Sequence, residues 1–450
     1  MQIRELTKNA VPVGRAQHVG RLLLLCALVG FFVGGAAVLF ELLTTVAKYT
    51  LLNSYAGFRP SEAAVDRGLW APGMEAFHPW RLAFLPVIGG LVGGLIIYYF
   101  APEAEGHGTD AAIDAYHNHH GRIRYRVPLV KTITSVITLG TAGSAGREGP
   151  IAQIGAGLGT ATADLLKLSA RNRRILMVAG MAAGIGAIFR APLAGALFAA
   201  EVLYKEMDLE FEVIVPAVIA SIISYTVFTI PFGVSPLFKA HIQAFDDPLQ
   251  LFSYTILAIV VAMGAKLYVV TFYAVHDFFR GWKIIPYLKP AIGGLGVGLF
   301  AFFLPEVMGS GYGVVQQALD GRVPWTFLGV VVLGKITTTS LTIGSGQSGG
   351  VFGPAIVIGA ALSGLTGQLV QHYIPWHDAP AGAFVIVGMA GFFAAAANTP
   401  ISTIIMVSEM VGSYDLLVPT MWVTIIAFLL VRRSTIYRAQ VASRSKSLCI

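Results

Sequence analysis

The stretch GSAGREGP at residues 143–150 decides how this chain is expected to fold. Its glycines interrupt an apolar segment, and an apolar helical pattern starts directly after it. Proline is favoured in the first turn of a helix, where its missing N–H does no harm. A second stretch of the same kind, GGVFGP, occupies residues 349–354. The two stretches therefore predict helices that begin inside apolar segments rather than at their ends.

The composition around these stretches is typical of an integral membrane protein. Of the 450 residues, 55% are hydrophobic and only 12% are charged, whereas an ordinary soluble domain is about 25% charged. Runs of about 18 or more residues without charge suggest membrane-spanning helices. The composition favours a membrane protein over a large soluble enzyme. The long runs that lack Asp, Glu, Lys and Arg are 22–40, 82–102, 213–238, 351–376 and 379–408.

The positive charge of the chain has a simple explanation in a membrane protein. The net charge is +7, and basic clusters such as 171–174 and 432–433 are typical of loops on the cytoplasmic side. No basic stripe with interleaved aromatic residues is present, so nucleic acid is not expected as a partner. The two cysteines, Cys26 and Cys449, lie far apart in the sequence, which argues against a disulfide framework or a cysteine metal site.

The chain also contains an internal repeat. Residues 149–156 match residues 353–360 at an offset of 204, and residues 180–182 match 388–390 at an offset of 208. Paired interrupted segments in two halves of a membrane protein point to its transport site. The same offset of 208 relates Pro192 to Pro400 and Glu201 to Glu409.

The repeat predicts how the chain is divided. We expect a first transmembrane repeat at 20–235 and a second at 250–440. A cytoplasmic segment at 1–19 would precede them, and a polar tail at 441–450 would follow. The offsets alone do not show whether the two halves are inverted.

Glu148 is the residue most indicative of function. Breaks in the backbone at membrane depth occur where the chain is buried in protein or lines a cavity, and the free N–H groups of a helix N-terminus attract anions. The repeat places Phe352 opposite Glu148, so the scaffold does not require an acid there. A carboxylate beside such a helix end would compete with an anion, and protonation would release it. We interpret Glu148 as a gate and proton carrier; the alternative is a structural ion pair with Arg147 or another base.

The chain resembles the chloride channel (CLC) family over nearly its whole length. Residues 146–150, GREGP, fit the family motif Gly-Lys/Arg-Glu-Gly-Pro, and residues 350–354, GVFGP, fit the motif Gly-x-Phe-x-Pro. Residues 106–110, GHGTD, keep the glycines of the motif Gly-Ser-Gly-Ile-Pro but lose its serine and proline. Ile436-Tyr437 is similar to the pore tyrosine at the start of the family's last helix.

The resemblance implies an all-helical membrane fold. Two related halves, inverted in the family, would bring broken helices together at mid-membrane. It also implies a homodimer in a lipid bilayer, with one complete pore per subunit. Chloride would be the transported ion and protons its counter-substrate, and neither a cofactor nor a metal is expected. The family often carries a nucleotide-sensing (CBS) pair after the last helix, which we do not expect in this chain.

The resemblance also assigns roles to individual residues. Glu148 is similar to the external gating glutamate. The backbone N–H groups of Val351 and Phe352, with the Tyr437 hydroxyl, are similar to the central anion site, and Gly149 belongs to the same anion-binding set.

His107 is the first departure from the family pattern, because it replaces the serine hydroxyl that coordinates the ion. A neutral imidazole can donate one N–H, much as a hydroxyl does, and a protonated one would add charge. Alternatively, the ring turns away and the backbone N–H of His107 binds the ion. This departure leaves the anion selectivity open.

The second departure concerns protons. Val202 stands where the family's exchangers often carry an internal glutamate. Glu201 beside it offers a secondary proton path, although we expect Glu201 and Glu409 near helix ends at the water interface. The exchange of protons is therefore not assured by the sequence.

These observations lead to a ranked set of functions. The first is chloride/proton exchange in a multi-pass protein of a prokaryotic inner membrane. The second is a passive chloride channel gated by voltage or pH, and the third is a fluoride/proton exchanger. An intramembrane enzyme is disfavoured, because the sequence has no metal-ligand pair at helical spacing and no Ser/His pairing at depth.

Overall fold

The architecture is built from α-helices. The computed structural model describes residues 13–60, 76–240, 244–373 and 380–447, with side chains from residue 20 onwards. Within these ranges no strand forms, and only two isolated bridges link extended residues. The helices are α1 (Val13–Lys48), α2 (Pro79–Phe100), α3 (Thr109–Asn118), α4 (Arg126–Gly140), α5 (Glu148–Leu165), α6 (Ala170–Phe189), α7 (Pro192–Glu201), α8 (Phe211–Phe232), α9 (Gln250–Gly281), α10 (Lys289–Gly298), α11 (Tyr312–Leu319), α12 (Trp325–Gly344), α13 (Phe352–Tyr373), α14 (Ala381–Ala397), α15 (Pro400–Val411) and α16 (Leu417–Val431).

The helices confirm a multi-pass membrane protein. Seven of those described are long and apolar enough to cross a bilayer. Four further apolar helices of 10–17 residues, α7, α14, α15 and α16, are shorter than a full span. A membrane-spanning helix needs about 20 apolar residues, and these four helices are shorter than that. The uncharged run 379–408 covers α14 and most of α15, with a break between the two helices.

Glycine allows the buried helices to approach at backbone distance. A Cβ atom on Gly155 of α5 would lie 2.1 Å from the carbonyl oxygen of Gly180 of α6, and a Cβ on Gly180 would lie 2.1 Å from that of Gly155. Any larger residue at either position would force α5 and α6 apart. Without a hydrophobic force between helices in lipid, close packing of this kind is a main source of helix association.

The two halves contact each other reciprocally. A Cβ on Gly90 of α2 would meet the carbonyl oxygen of Pro290 of α10 at 2.3 Å, and a Cβ on Gly294 of α10 would meet that of Pro86 of α2 at 2.1 Å. Gly90 and Gly294 are 204 residues apart, and so are Pro86 and Pro290, so the second contact is the first with the two halves exchanged. Such reciprocity is what a two-fold relation between halves produces. The proposed halves, 20–235 and 250–440, carry the helices α1–α8 and α9–α16.

The two predicted terminal segments, 1–19 and 441–450, are partly structured. Helix α1 begins at Val13, inside the predicted cytoplasmic segment 1–19, and residues 1–12 lie outside the described residues. In the C-terminal segment, Lys205 N donates to Val441 O at 2.8 Å, and Arg444 pairs with Glu210 at 2.9 Å. The described part of the predicted tail 441–450 is therefore docked on the loop after α7. Cys449 lies outside the described residues.

The expectation of a last helix starting at Tyr437 is wrong for the described residues. From Arg432 to Ser447 they contain only a three-residue 3₁₀ turn at Arg444–Lys446. The reason is that backbone groups there bond to other segments or to side chains instead of along a helix. Ile436 N donates to Ala396 O at 2.8 Å, and the Thr435 hydroxyl accepts from Tyr437 N at 3.1 Å.

Candidate anion pathway

Two helix N-termini meet in the interior of the protein. Helix α5 begins at Glu148 and α13 begins at Phe352. Just before these starts, Gly146 N donates to Gly350 O at 2.8 Å, and Gly350 N donates to Gly146 O at 2.7 Å. The two glycines are 204 residues apart, so this pair repeats the reciprocity seen between α2 and α10. It fixes the positive ends of both helix dipoles beside each other.

Gly149 brings the first turn of α5 against the loop that carries His107. A Cβ on Gly149 would lie 2.0 Å from the carbonyl oxygen of His107 and 3.0 Å from the Cα of Gly350. No side chain fits between these backbones. The motifs at 106–110, 146–150 and 350–354 therefore meet at this position.

The Glu148 carboxylate lies at the N-terminus of the other half's helix. It is 2% exposed, and its Oε2 accepts a hydrogen bond from Gly353 N at 3.3 Å. Its Oε1 accepts from the hydroxyl of Tyr312. Arg147, the base considered as an ion-pair partner, pairs with Glu41 of α1. The carboxylate thus occupies a place where helix N–H groups would otherwise attract an anion.

Val351 and Phe352 are buried next to this carboxylate. The hydroxyl of Tyr268 donates to Val351 O at 3.2 Å. The Phe352 ring packs against Phe189 and Phe393, with centroids 4.4 and 3.8 Å apart. These contacts hold the start of α13 in an apolar surrounding, where helix dipoles act at low dielectric.

His107 and Tyr437 face each other on the other side of the break. Their ring centroids are 5.5 Å apart, and Tyr437 is hydrogen-bonded to the Thr109 side chain. His107 is 9% exposed, and its Nδ1 has no hydrogen-bond partner among the described residues. The ring is therefore not turned away from Tyr437. A buried polar atom without a partner normally marks the place of a ligand or a water molecule.

A cavity of about 820 Å³ leads to His107. Charged and titratable groups line it, among them Asp110, His276, Lys289 and Arg438. Of the described residues, those that line it include His107 but neither Glu148 nor Phe352. The cavity thus reaches His107 but does not include the Glu148 carboxylate or the start of α13.

Two buried lysines support the loops around the site, and we did not predict them. Lys131 of α4 donates to the carbonyl oxygens of Ala104 and Gly106 at 3.0 and 2.7 Å. In the second half, Lys335 donates to the carbonyls that lie 203 residues further on, those of Val307 and Gly309, at 3.1 and 2.6 Å. Two lysines inside apolar helices at an offset of 204 were a signal in the sequence that could have identified them.

Tyr312, like the two lysines, was not predicted, although the repeat offset also points to it. The segment GSGYG at 309–313 is the repeat counterpart of GHGTD at 106–110. In both segments the glycines at the first and third positions have positive φ, 72° and 75° at Gly106 and Gly108, and 62° and 79° at Gly309 and Gly311. Comparing the two halves at this offset would have placed Tyr312 near the site.

Glu201 and Glu409 each cap the helix that carries the other: Glu201, at the end of α7, caps α15, and Glu409, in α15, caps α7. The Glu201 carboxylate accepts from Ile401 N at 2.9 Å and from Ser402 N at 2.7 Å, at the start of α15. The Glu409 carboxylate accepts from Ala194 N at 2.9 Å, at the start of α7. Acids at helix N-termini satisfy free N–H groups and the dipole. The expected place at the water interface is wrong for Glu201, which is fully buried.

Val202 next to Glu201 is also fully buried. Its carbonyl oxygen accepts a hydrogen bond from Gln440 Nε2 at 3.0 Å, and the same amide donates to Ala397 O at 2.9 Å. The side chains of Val202 and Gln440 do not titrate. Val202, which the resemblance aligns with the internal glutamate, therefore offers no titratable side chain at this position.

Similarity to known proteins agrees with this arrangement of helix ends around a buried acid. Residues 89–432 match the model of the voltage gated chloride channel family, and the chain belongs to this family. It is 33% identical over 353 residues to the H⁺/Cl⁻ exchange transporter ClcA of Salmonella agona, with 77% of this chain and 74% of the relative covered.

Solved structures share the fold. A slow cyanobacterial Cl⁻/H⁺ antiporter matches with a TM-score of 0.79 and 21% identity, over 92% of this chain and 94% of the other. A CLC-type fluoride/proton antiporter matches with a TM-score of 0.80 and 20% identity, over 94% and 98%. The predicted all-helical CLC fold is confirmed.

Proposed function

We propose that this protein exchanges chloride for protons across a membrane, with Glu148 as gate and proton carrier. The observation that carries the proposal is the position of the Glu148 carboxylate, bonded to Gly353 N at the start of α13. Ionised, it competes with an anion for that helix end; protonated, it leaves the site to the anion. The name of the Salmonella relative, an exchange transporter, supports the same function.

The anion would be bound by groups from both sides of the break. We assign to it the backbone N–H groups of Val351 and Phe352, the first turn of α5 at Gly149, the Tyr437 hydroxyl and the His107 imidazole. The free Nδ1 of His107 supports its place in this set. Backbone dipoles would attract the ion without the full charge that would trap it.

Flux from reconstituted vesicles tests the function. Vesicles loaded with chloride are diluted into low chloride, and chloride and proton movement are recorded with and without a proton ionophore. We expect chloride efflux to drive proton uptake into the vesicles, although no pH gradient is imposed at the start. Chloride flux with no proton movement would replace the exchanger by a passive channel, the second candidate, which the buried Val202 favours.

Fluoride is the remaining alternative substrate. The fold matches a fluoride/proton antiporter as well as a chloride one, and His107 departs from the usual serine. The same vesicles loaded with fluoride decide between them. Fluoride flux well above chloride flux would overturn the assignment to chloride.

We expect His107→Ala to weaken chloride binding roughly ten- to a hundredfold, because a hydrogen bond to a charged group contributes about 1.5–3 kcal/mol. His107→Ser returns a donor at the position where the family has one and should restore most of the affinity. Isothermal titration calorimetry of the purified protein measures both. Binding by His107→Ala equal to that of the wild type would assign the ion to the backbone N–H instead.

We further propose a homodimer with a complete pathway in each subunit, in the bilayer of a prokaryotic inner membrane. Support for one pathway per subunit comes from Gly146 and Gly350, because both helix ends of the site belong to one chain. Cross-linking in membranes should give a dimer. Mixed dimers with one Glu148→Gln subunit should retain half of the proton coupling. Only monomers, or complete loss of coupling in mixed dimers, would contradict this assembly.

A further inference from the structure

Tyr312 is placed to act on the gate directly. It is the first residue of α11, it is 2% exposed, and its hydroxyl donates to Oε1 of Glu148. The other carboxylate oxygen, Oε2, accepts from Gly353 N. The two oxygens of the carboxylate are thus held by two different helices. The side chain of Tyr312 in α11 holds Oε1, and a backbone N–H of α13 holds Oε2.

The ring that presents this hydroxyl is itself fixed. The Arg147 guanidinium lies 5.8 Å from the centroid of the Tyr312 ring, within the range of a cation–π contact. Phe238 packs edge-on against the ring at 5.6 Å. Because Arg147 is anchored by its ion pair with Glu41 of α1, the hydroxyl has a defined position relative to the carboxylate.

A hydroxyl that donates to a carboxylate prefers the ionised form. Such charge-assisted hydrogen bonds are about twice as strong as neutral ones, and protonation of the acid removes that advantage. The ionised carboxylate is the form that occupies the anion's place. The Tyr312 hydroxyl therefore favours the closed state of the pathway and opposes protonation of the Glu148 carboxylate.

We propose that Tyr312 is a positioning residue that holds the ionised Glu148 carboxylate in the anion pathway and thereby sets the pH at which the pathway opens. The inference rests on the proposed gating role of Glu148. The other charged or titratable groups that interact electrostatically with the carboxylate are Arg147, paired with Glu41, Lys335 of α12 and Tyr437. None of these is altered when the Tyr312 hydroxyl is removed.

The test is chloride flux in vesicles at equal pH on both sides, measured across a range of pH. Flux should rise as pH falls, since protonation releases Glu148. In Tyr312→Phe the carboxylate loses its donor and takes up a proton more easily. The midpoint should therefore move to higher pH by about one unit, a tenfold change in proton concentration.

Two further variants make the result specific. In a Glu148→Ala background, Tyr312→Phe should cause no further shift, because the two residues would act through one contact. Tyr254→Phe is the matched control. Tyr254 is fully buried, and its hydroxyl has no hydrogen-bond partner among the described residues, so its midpoint should equal that of the wild type.

The outcomes separate this inference from the proposed function. An unshifted midpoint in Tyr312→Phe, while Glu148→Ala loses its pH dependence, would overturn the role of Tyr312 and leave the gate intact. A shift that persists in the Glu148→Ala background would also overturn it. A pH profile that Glu148→Ala does not change would instead refute the gating role of Glu148.

Discussion

Glu148→Gln is expected to keep chloride flux and to reduce coupled proton movement to background. The amide retains the shape of the side chain and an oxygen that can accept from Gly353 N. It cannot carry a charge or a proton, so it competes less with an anion for the N-terminus of α13. Chloride and proton flux measured in the same vesicles should show chloride movement that no longer depends on pH.

The control for this experiment is Glu206→Gln. Glu206 is an exposed acid in the loop after α7, and its neutralisation should leave both fluxes and the pH profile unchanged. Two results would contradict the gating role. Unchanged pH dependence in Glu148→Gln would make the residue structural. Complete loss of chloride flux in folded protein would be equally damaging, because a gate without its charge should open.

Glu201→Ala is expected to cause the largest loss of stability. The carboxylate accepts three hydrogen bonds at the start of α15, from Ile401 N, from Ser402 N and from the Ser402 hydroxyl. Each donor left buried without a partner costs about 1–3 kcal/mol, so the sum is comparable with the whole stability of many proteins. Thermal unfolding in detergent should show a strongly lowered midpoint or no folded protein.

Glu201→Gln distinguishes a helix cap from the secondary proton path. The amide oxygen can still accept from Ser402 N and from the Ser402 hydroxyl, so that only the bond from Ile401 N is lost. The protein should therefore fold with a smaller loss of stability than Glu201→Ala, and the side chain no longer binds and releases protons. If Glu201 is a cap, proton coupling in Glu201→Gln should equal that of the wild type. Loss of coupling in this folded variant, with chloride flux retained, would establish a proton path through Glu201. Glu409→Gln, at the reciprocal cap, is the matched control.

The membrane class and the positions of the broken helices could be predicted because they depend on local features. Hydrophobic content and uncharged runs report the bilayer, and glycine followed by proline marks a helix start. The starts of α5 at Glu148 and of α13 at Phe352 follow from that spacing. The repeat offset also predicted that the two stretches would correspond to one another.

Contacts within the site could be predicted only in part. The sequence indicated that Glu148 lies at the N-terminus of its own helix, α5. It did not indicate that the Glu148 carboxylate also contacts the N-terminus of α13, in the other half. The sequence did not predict that the described residues after Tyr437 form no α-helix, because this depends on bonds such as that between Ile436 N and Ala396 O. Whether a segment bonds along a helix or to its neighbours is a tertiary property.

The sequence by itself therefore determined the class of protein, the repeat and the acid at its centre, since composition and spacing over a few residues carry this information. The tertiary structure alone decided what each buried polar group contacts. Tyr312 reaches Glu148 across 164 residues, and Glu201 reaches Ser402 across 201. No local pattern encodes such pairs, because they form only when α11 and α15 are packed against the first half. In a buried interior, each of these polar groups must find a partner, and the fold determines which partner is within reach.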